Sequence, residues 1–263
     1  MSLIVSVRSA EGIVIAGDSL ASTTTTAPVA GDISLQCGGC GETTNIPGKA
    51  LGVTSVRLNS FPNAIKVFPF LQRFGVGTFG AGVVIDQTIY FVARQLEQAI
   101  GMAGKEMSVQ DCAEAIGTHF QTLLNLTPGP KAAPLSLGFH VNGYDNQKPV
   151  TVTVNLIAGQ EGSTQRHDET YFYTVGGIHD VVQALNQHYQ GQGGASRLAS
   201  LGDARGFAEF LLRTTIDFQR FGVQIPSVGG EIALGLITPT EGFTWIQKPN
   251  ILAMMSSEEG SGA

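Results

Sequence analysis

Serine stands second in the chain, directly after Met1. Methionine ahead of so small a residue is normally trimmed, so the mature protein is expected to begin with Ser2. Its first residue would then carry a hydroxyl nucleophile and a free α-amino group together. An unperturbed α-amine has a pKa of about 7.7–8.0, so near neutral pH a useful fraction is an unprotonated base. A hydroxyl activated by an adjacent amine is an established kind of nucleophile. A carboxylate is close by. The runs Leu3-Ile4-Val5-Ser6-Val7 and Ile13-Val14-Ile15-Ala16 flank the turn signal Arg8-Ser9-Ala10-Glu11-Gly12, the pattern of a β-hairpin. With Ala10-Glu11 as the loop, Ser2 faces Ser19 and Leu3 faces Asp18. Cross-strand neighbours lie about 4.5–5.5 Å apart at Cβ, so register alone brings Asp18 within one residue of the nucleophile. The plain alternative is an ordinary N-terminal strand with a serine at its end.

The elements that must position these groups are read next. With 263 residues, 43% of them hydrophobic, the chain can bury a sizeable core as one large domain or two small ones. Charged residues make up 14% and the net charge is −6, which leaves no basic footprint for nucleic acid and no polybasic membrane patch. Nothing approaches 18 consecutive apolar residues, and no secretory pattern opens the chain, so neither a membrane span nor export is expected. Three cysteines argue against a disulfide framework and for the cytoplasm. The five histidines, His119, His140, His167, His179 and His188, lack catalytic spacing and read as structural or surface residues.

After the hairpin comes a polar, Gly-rich stretch to about Asn63. Strand-like runs return at Ile65–Phe70 and Phe74–Phe79. One helical face then carries Ile85, Ile89, Val92, Leu96 and Ile100. A second, capped by Ser108 with Asp111, carries Val109, Cys112, Ile116, Phe120 and Leu124. Leu135–Val141, Val150–Ile157 and Thr170–Val175 read as strands. A helix is expected from His179-Asp180 and another from about Asp203, the latter with Phe207, Phe210, Leu211, Thr214, Phe218 and Phe221 on one side. Strands at Ile232–Ile237 and Phe243–Ile246 follow. Two sheets that each need a covered face, with two helix pairs available, predict an α+β fold packed as a four-layer αββα sandwich. The expected organisation is one domain over residues 1–255, a loop insertion at about 22–63, and a disordered tail at 256–263.

Four segments in order carry a resemblance. Ser2 with Gly12-Ile13-Val14-Ile15-Ala16-Gly17-Asp18-Ser19 resembles the opening of a proteasome β-type subunit. Asn63-Ala64-Ile65-Lys66-Val67-Phe68 resembles that family's catalytic-lysine strand. Val76-Gly77-Thr78-Phe79-Gly80-Ala81-Gly82 is similar to its Gly-Thr-x-Gly turn. Ser227-Val228-Gly229-Gly230-Glu231-Ile232-Ala233-Leu234-Gly235-Leu236-Ile237-Thr238 resembles its late strand. The resemblance implies an N-terminal nucleophile hydrolase fold. Ser2 would be the nucleophile and its amine the general base. Lys66 would lower the amine pKa and stabilise developing negative charge, Asp18 would hold Lys66, and the Gly80 N–H would line an oxyanion hole.

The sequence also departs from that family. Serine replaces the usual threonine, and Ile178 stands where a serine is usual. Ile225-Pro226-Ser227-Val228 replaces an Arg-Asp-x-x-Ser element. Ser227, Asp217 and Ser19 are the candidates to orient the amine instead. The insertion holds Cys37-Gly38-Gly39-Cys40, at most half of a zinc site. Cys112 falls on an apolar helix face, so a closed site would need distant histidines or a second subunit. The insertion is read as a mobile Gly/Thr loop without metal that gates or lines the substrate cleft.

By the same resemblance, Ala21, Ala64, Phe68, Thr78, Gly82 and Asp86 would line the first specificity pocket. Small Thr78 and acidic Asp86 suggest room for a basic side chain; Asp86 reads equally as a helix-start carboxylate. The implied protein is a self-compartmentalised peptidase subunit similar to free-standing bacterial proteasome homologues. It would assemble with copies of itself in a ring or stacked rings, act on polypeptide without a cofactor, and take an ATPase unfoldase as a further partner. Two other readings stay open: a catalytically silent ring protein, and a small-molecule amidase of the same superfamily.

Overall fold

The computed structural model describes residues 2–26, 33–36, 40, 43–46, 55–103, 106–128, 134–189, 200–222 and 226–250. The structure is a mixed α+β protein with four helices and several antiparallel sheets among these residues. The strands are β1 Leu3–Arg8, β2 Ile13–Asp18, β3 Ala21–Thr26, β4 Ile33–Gln36, β5 Thr43–Ile46, β6 Ser55–Phe61, β7 Val67–Phe70, β8 Phe74–Gly80, β9 Val83–Val84 and β10 Gln87–Thr88. Helices α1 Ile89–Met102 and α2 Val109–Leu126 follow, then β11 Ser136–Asp145, β12 Lys148–Ile157, β13 Ser163–His167 and β14 Tyr173–Gly177. Helices α3 Asp180–Tyr189 and α4 Leu201–Arg220 precede β15 Ile232–Thr238 and β16 Gly242–Gln247.

The chain divides into two compact units, one built from the residues up to Ala21 and from Phe61 onward, the other from Ser22–Ser60. The smaller unit differs from the expected loop. Its described residues include the β4–β5 ladder, and β3 pairs with β6. Thr-rich Ala21–Thr26 has the β-branched composition that a pleated strand favours, although it lacks the apolar alternation that marks a half-buried one. Cys37 and residues 256–263 lie outside the described residues; Cys40 is exposed.

The larger unit is organised around two five-stranded sheets, ordered β14-β1-β2-β15-β16 and β13-β12-β11-β8-β7. The first hairpin has the register read from the sequence, with Ile4 opposite Gly17 and Val5 opposite Ala16. Its turn is closed by Ser9, whose N–H donates to the Gly12 carbonyl at 2.9 Å and whose Oγ accepts from the Gly12 N–H at 3.2 Å.

Period-2 alternation sends the two sets of β1 side chains to opposite sides. Leu3, Val5 and Val7 pack with Ala204, Ala208, Leu211 and Leu212 of α4. On the other sheet, Val150, Val152 and Val154 of β12 meet Cys112, Ile116, Phe120 and Leu124 of α2. Full burial of each such aliphatic or aromatic side chain is worth about 1.5–3 kcal/mol. Ser108 and Asp111 form the expected reciprocal cap on α2.

Two helix readings change. Ile85 lies outside α1, in a turn with Asp86 at φ of 45° and 59°, and Thr88 caps the helix that begins at Ile89. On α4, Phe210, Phe218 and Phe221 are 49%, 68% and 83% exposed, whereas Ala204, Ala208, Leu211, Leu212 and Thr215 are buried. The two alanines let the helix axis approach the sheet, and they outweigh the aromatic stripe in choosing the inward face.

The layer between the sheets is split in character. One part is apolar: Ile4, Ile13, Ile15, Val67, Ala233 and Ile237 cluster there. A Cβ at Gly77 would lie 2.6 Å from the Ile4 side chain, so the sheets touch closely at that point. The other part is polar. Ser6 Oγ and His140 Nδ1 are 3.1 Å apart, Asn142 accepts from Thr151 at 2.8 Å, and the fully buried Arg8 donates to the His167 carbonyl at 2.7 Å.

Burial pushes the His140 imidazole down to about 3, with His167 and Arg8 adding repulsion against the charged form. The folded state therefore binds one proton fewer than the unfolded state between about pH 3 and the unperturbed value near 6.5. This contribution is complete above pH 6.5 and is lost as pH falls, by up to about 1.4 kcal/mol per pH unit. Urea unfolding of wild type and His140→Asn at pH 7, 6 and 5 checks it. The wild type should lose about 2 kcal/mol more than the variant between pH 7 and 5; parallel pH profiles would contradict the assignment.

Candidate active site

Asp18 ends β2 with its carboxylate 1% exposed, and four donors converge on it. The Leu3 N–H donates to Oδ1 at 3.0 Å. Oδ2 accepts from the Leu20 N–H at 3.2 Å, the Gly229 N–H at 3.1 Å and Lys66 Nζ at 2.9 Å. Lys66 Nζ also donates to the Leu20 carbonyl at 2.5 Å. The loop before β15 is drawn in as well, because the Ser19 and Leu20 N–H groups both donate to the Gly229 carbonyl. Asp18 thus ties the start of β1, the end of β2, the strand after Lys66 and the approach to β15 to a single point.

Lys66 is 7% exposed. Burial pushes its ammonium below the usual lysine range, and the Asp18 carboxylate acts in the opposite direction by favouring the charged form. A buried ammonium held this way is a fixed positive charge next to the first residues of β1. Ser2 is itself 3% exposed, and its carbonyl accepts from the Ile178 N–H at 2.8 Å. That contact depends on Gly177, whose φ is +89° and where a Cβ would come within 1.9 Å of the Ser2 carbonyl oxygen.

Gly80 ends β8 at φ +95°, where a Cβ would lie 2.4 Å from the Ser136 carbonyl oxygen. The Ala81 N–H donates to that same oxygen at 2.8 Å. Ser2 and Gly80 line one cavity of about 690 Å³, together with residues of β11, β12, β13 and β14. The four residues expected to do chemistry are therefore joined in two steps. Asp18 links Ser2's neighbour Leu3 to Lys66, and the cavity links Ser2 to Gly80.

Two of the three expected amine-orienting residues have side-chain partners elsewhere. Ser227 donates from Oγ to Gln219 Oε1 at 3.1 Å, and the Ser227 and Val228 N–H groups donate to the same oxygen. This clamp fastens the end of α4 to the segment before β15. Ser19 Oγ accepts from the Glu231 N–H at 2.7 Å. Asp217 sits on the exposed side of α4.

The six expected pocket residues are not among those lining the cavity. Phe68 is fully buried in the core against the Tyr90 ring, and Thr78 is 5% exposed. Ala21 and Ala64 are half-buried, while Gly82 and Asp86 are exposed. Asp86 lies in the tight turn between β9 and β10, ahead of the Thr88 cap of α1.

Sequence reasoning missed the backbone partners: the Leu20 carbonyl and the Gly229 and Ile178 N–H groups. The glycines at 177 and 229 were the available signal. Among the described residues, no group of three or more His, Cys, Asp or Glu is arranged to hold a metal ion. Burial pushes the Cys112 thiol up to about 12, in keeping with its place in the helix-side core. No helix among the described residues is long and apolar enough to cross a membrane. Compared with known proteins, the sequence matches no family model and no curated protein.

Breaking a buried ion pair by removing one partner costs about 3–5 kcal/mol, because the other charge is left uncompensated. Lys66→Met is expected to fall in that range. Adding Asp18→Asn should recover part of the loss, giving a coupling of about 2 kcal/mol in a double-mutant cycle read by urea unfolding. Additive losses would show that the two groups do not depend on each other.

Proposed function

We propose that this protein is a peptidase subunit of the N-terminal nucleophile hydrolase type, in which Ser2, freed by removal of Met1, attacks the peptide carbonyl. The two sheets face to face, with α1–α2 on one and α3–α4 on the other, are read as the four-layer αββα sandwich of that class. The observation that carries the proposal is the Asp18–Lys66 pair at 2.9 Å, tied through the Leu3 N–H to the residue after the nucleophile.

The division of labour follows from the charges. The Ser2 α-amine takes the proton of the Ser2 hydroxyl as the Oγ–carbon bond forms. Lys66 supplies a fixed positive charge that disfavours a protonated amine and favours the developing anion. Asp18 and the Leu20 carbonyl hold Lys66 in place. The turn at Gly80 would present its N–H to the oxyanion, a kind of donor worth about 10²–10³ in rate in other hydrolases. The amine then returns the proton to the leaving nitrogen, and water resolves the ester by the same path reversed.

The exposed aromatic side chains of α4, Phe210 and Phe218, with Phe221 at its C-cap and Phe91 on α1, favour assembly with further copies of the chain in a ring. An enclosed chamber, a cytoplasmic setting and an ATPase unfoldase belong to this same reading. A second reading, a catalytically silent ring protein, is favoured by one observation: the Ser227 hydroxyl is engaged with Gln219, and Asp217 lies on the exposed side of α4.

The wild-type assembly should hydrolyse fluorogenic peptide amides. Ser2→Ala should lose about 10³-fold or more in kcat/KM with no change of assembly size by light scattering. Equal rates in the two proteins would remove Ser2 as nucleophile, and an inert wild type that has lost Met1 would favour the silent ring.

A further inference from the structure

The cavity at Ser2 takes in Gly177 and none of the expected pocket residues, and its walls have a distinct chemistry. It is lined by aromatic and aliphatic groups, including Phe79, Leu156 and Phe172, by the neutral polar side chains of Thr153, Asn155 and Gln165, and by His167 and His179. No Asp, Glu, Lys or Arg is among its lining residues. A volume of about 690 Å³ falls within the range of ligand pockets, about 300–1,000 Å³.

Thr174 gives the cavity a polar handle. On β14 it lies opposite Ser6, whose side chain meets His140 of the other sheet, so alternation turns Thr174 toward the layer between the sheets. It lines the cavity, is 7% exposed, and its hydroxyl has no hydrogen-bond partner. An unpaired buried hydroxyl is costly, typically by about 1–3 kcal/mol. His140 Nε2 and Arg8 Nε in the same layer also lack a hydrogen-bond partner, while Arg8 Nη2 has only the longer ion pair to Glu169 at 3.7 Å.

The cavity also lies between β13 and β14, each the outermost strand of its sheet. Outer strands offer main-chain hydrogen bonds to an extended chain, and alternate side chains of that chain then enter pockets.

We infer that this cavity is a substrate subsite for an uncharged peptide segment flanking the scissile bond, with Thr174 hydrogen-bonding the segment and Asn155 setting its tolerance for charge. The inference rests on the peptidase reading for the kind of ligand, but the binding itself does not require turnover. It reverses the preference for basic residues suggested by Thr78 and Asp86. With no carboxylate, lysine or arginine in its walls, the cavity gives a lysine or glutamate side chain no such counter-charge, so either loses solvation there without compensation.

Two measurements are made on the full chain. In the first, Ser2→Ala is titrated with fluorescein-labelled octapeptides that differ only in central Gln-Leu, Lys-Leu or Glu-Leu pairs, read by anisotropy. The neutral peptide should bind at least about tenfold more tightly than either charged one. Thr174→Val should weaken it about three- to tenfold, the loss expected for one hydrogen bond, without lowering the urea midpoint. In the second, the active chain and its exposed-site variant Asn155→Asp digest a peptide mixture read by mass spectrometry. Asn155→Asp should shift kcat/KM toward the lysine peptides about tenfold relative to neutral ones.

Equal binding of all three peptides, or an Asn155→Asp chain with unchanged selectivity, overturns the subsite. Neutral-selective binding that responds to Thr174→Val, alongside no hydrolysis by the trimmed wild type, upholds the subsite and overturns the peptidase reading. Absence of both binding and hydrolysis overturns both.

Discussion

Everything near the start of the chain depends on one buried carboxylate. Asp18 accepts from three backbone N–H groups and one ammonium, and these come from four separate parts of the sequence. A carboxylate 1% exposed is tolerable only because the donors converge on it. The same requirement fixes where the chain must run. Leu20 has to turn its N–H back to Asp18 and its carbonyl to Lys66. The segment before β15 has to bring Gly229 within reach, and β1 has to stay in register so that Leu3 meets Asp18. The site and the local fold are thus held by one set of bonds.

The layer between the sheets is divided between an apolar and a polar part. Near β2, β7 and β15 it is closed by isoleucine, valine and close-packed glycine, which leave no room for a ligand. Toward β12, β13 and β14 it contains Ser6, Arg8, His140, Thr153 and Thr174, several with unpaired polar atoms, and a cavity. The apolar part supplies cohesion through buried area. The polar part is less stable taken alone, and the pH sensitivity at His140 is one consequence. Stability given up on one side of an interior is a common accompaniment of a binding site.

The hairpin was legible because alternation and turn chemistry agree: β-branched runs on either side of Ser9–Gly12 leave a single register, and that register specifies the Leu3–Asp18 contact. The α2 cap was legible from Ser108 and Asp111 for the same local reason. The inward face of α4 was not, because Phe210, Phe218 and Phe221 outweigh Ala204 and Ala208 on any hydropathy scale, while close approach to a sheet rewards small side chains. Strand β13 was missed because Ser163-Thr164-Gln165-Arg166-His167 has no apolar face to alternate. At the site, Asp18 and Lys66 could be read from the sequence, whereas the Leu20 carbonyl and the Ile178 N–H could not, since backbone groups carry no residue signature. Ser227 looked suited to the amine by position; its partner, Gln219, stands eight residues earlier near the end of α4, where nothing in the residue types marks it.

The central claim is that the first residue of the mature chain acts with both of its functional groups. A peptide epoxyketone tests this directly, because ring closure uses the hydroxyl and the free α-amine of one residue and expels no leaving group. Intact-mass analysis of the assembled protein should show Met1 absent and, after incubation, a gain equal to the whole inhibitor. Fragmentation should locate that gain on Ser2, and Ser2→Ala should show none. Retention of Met1, or an unlabelled Ser2 in a trimmed and assembled protein, would contradict the account.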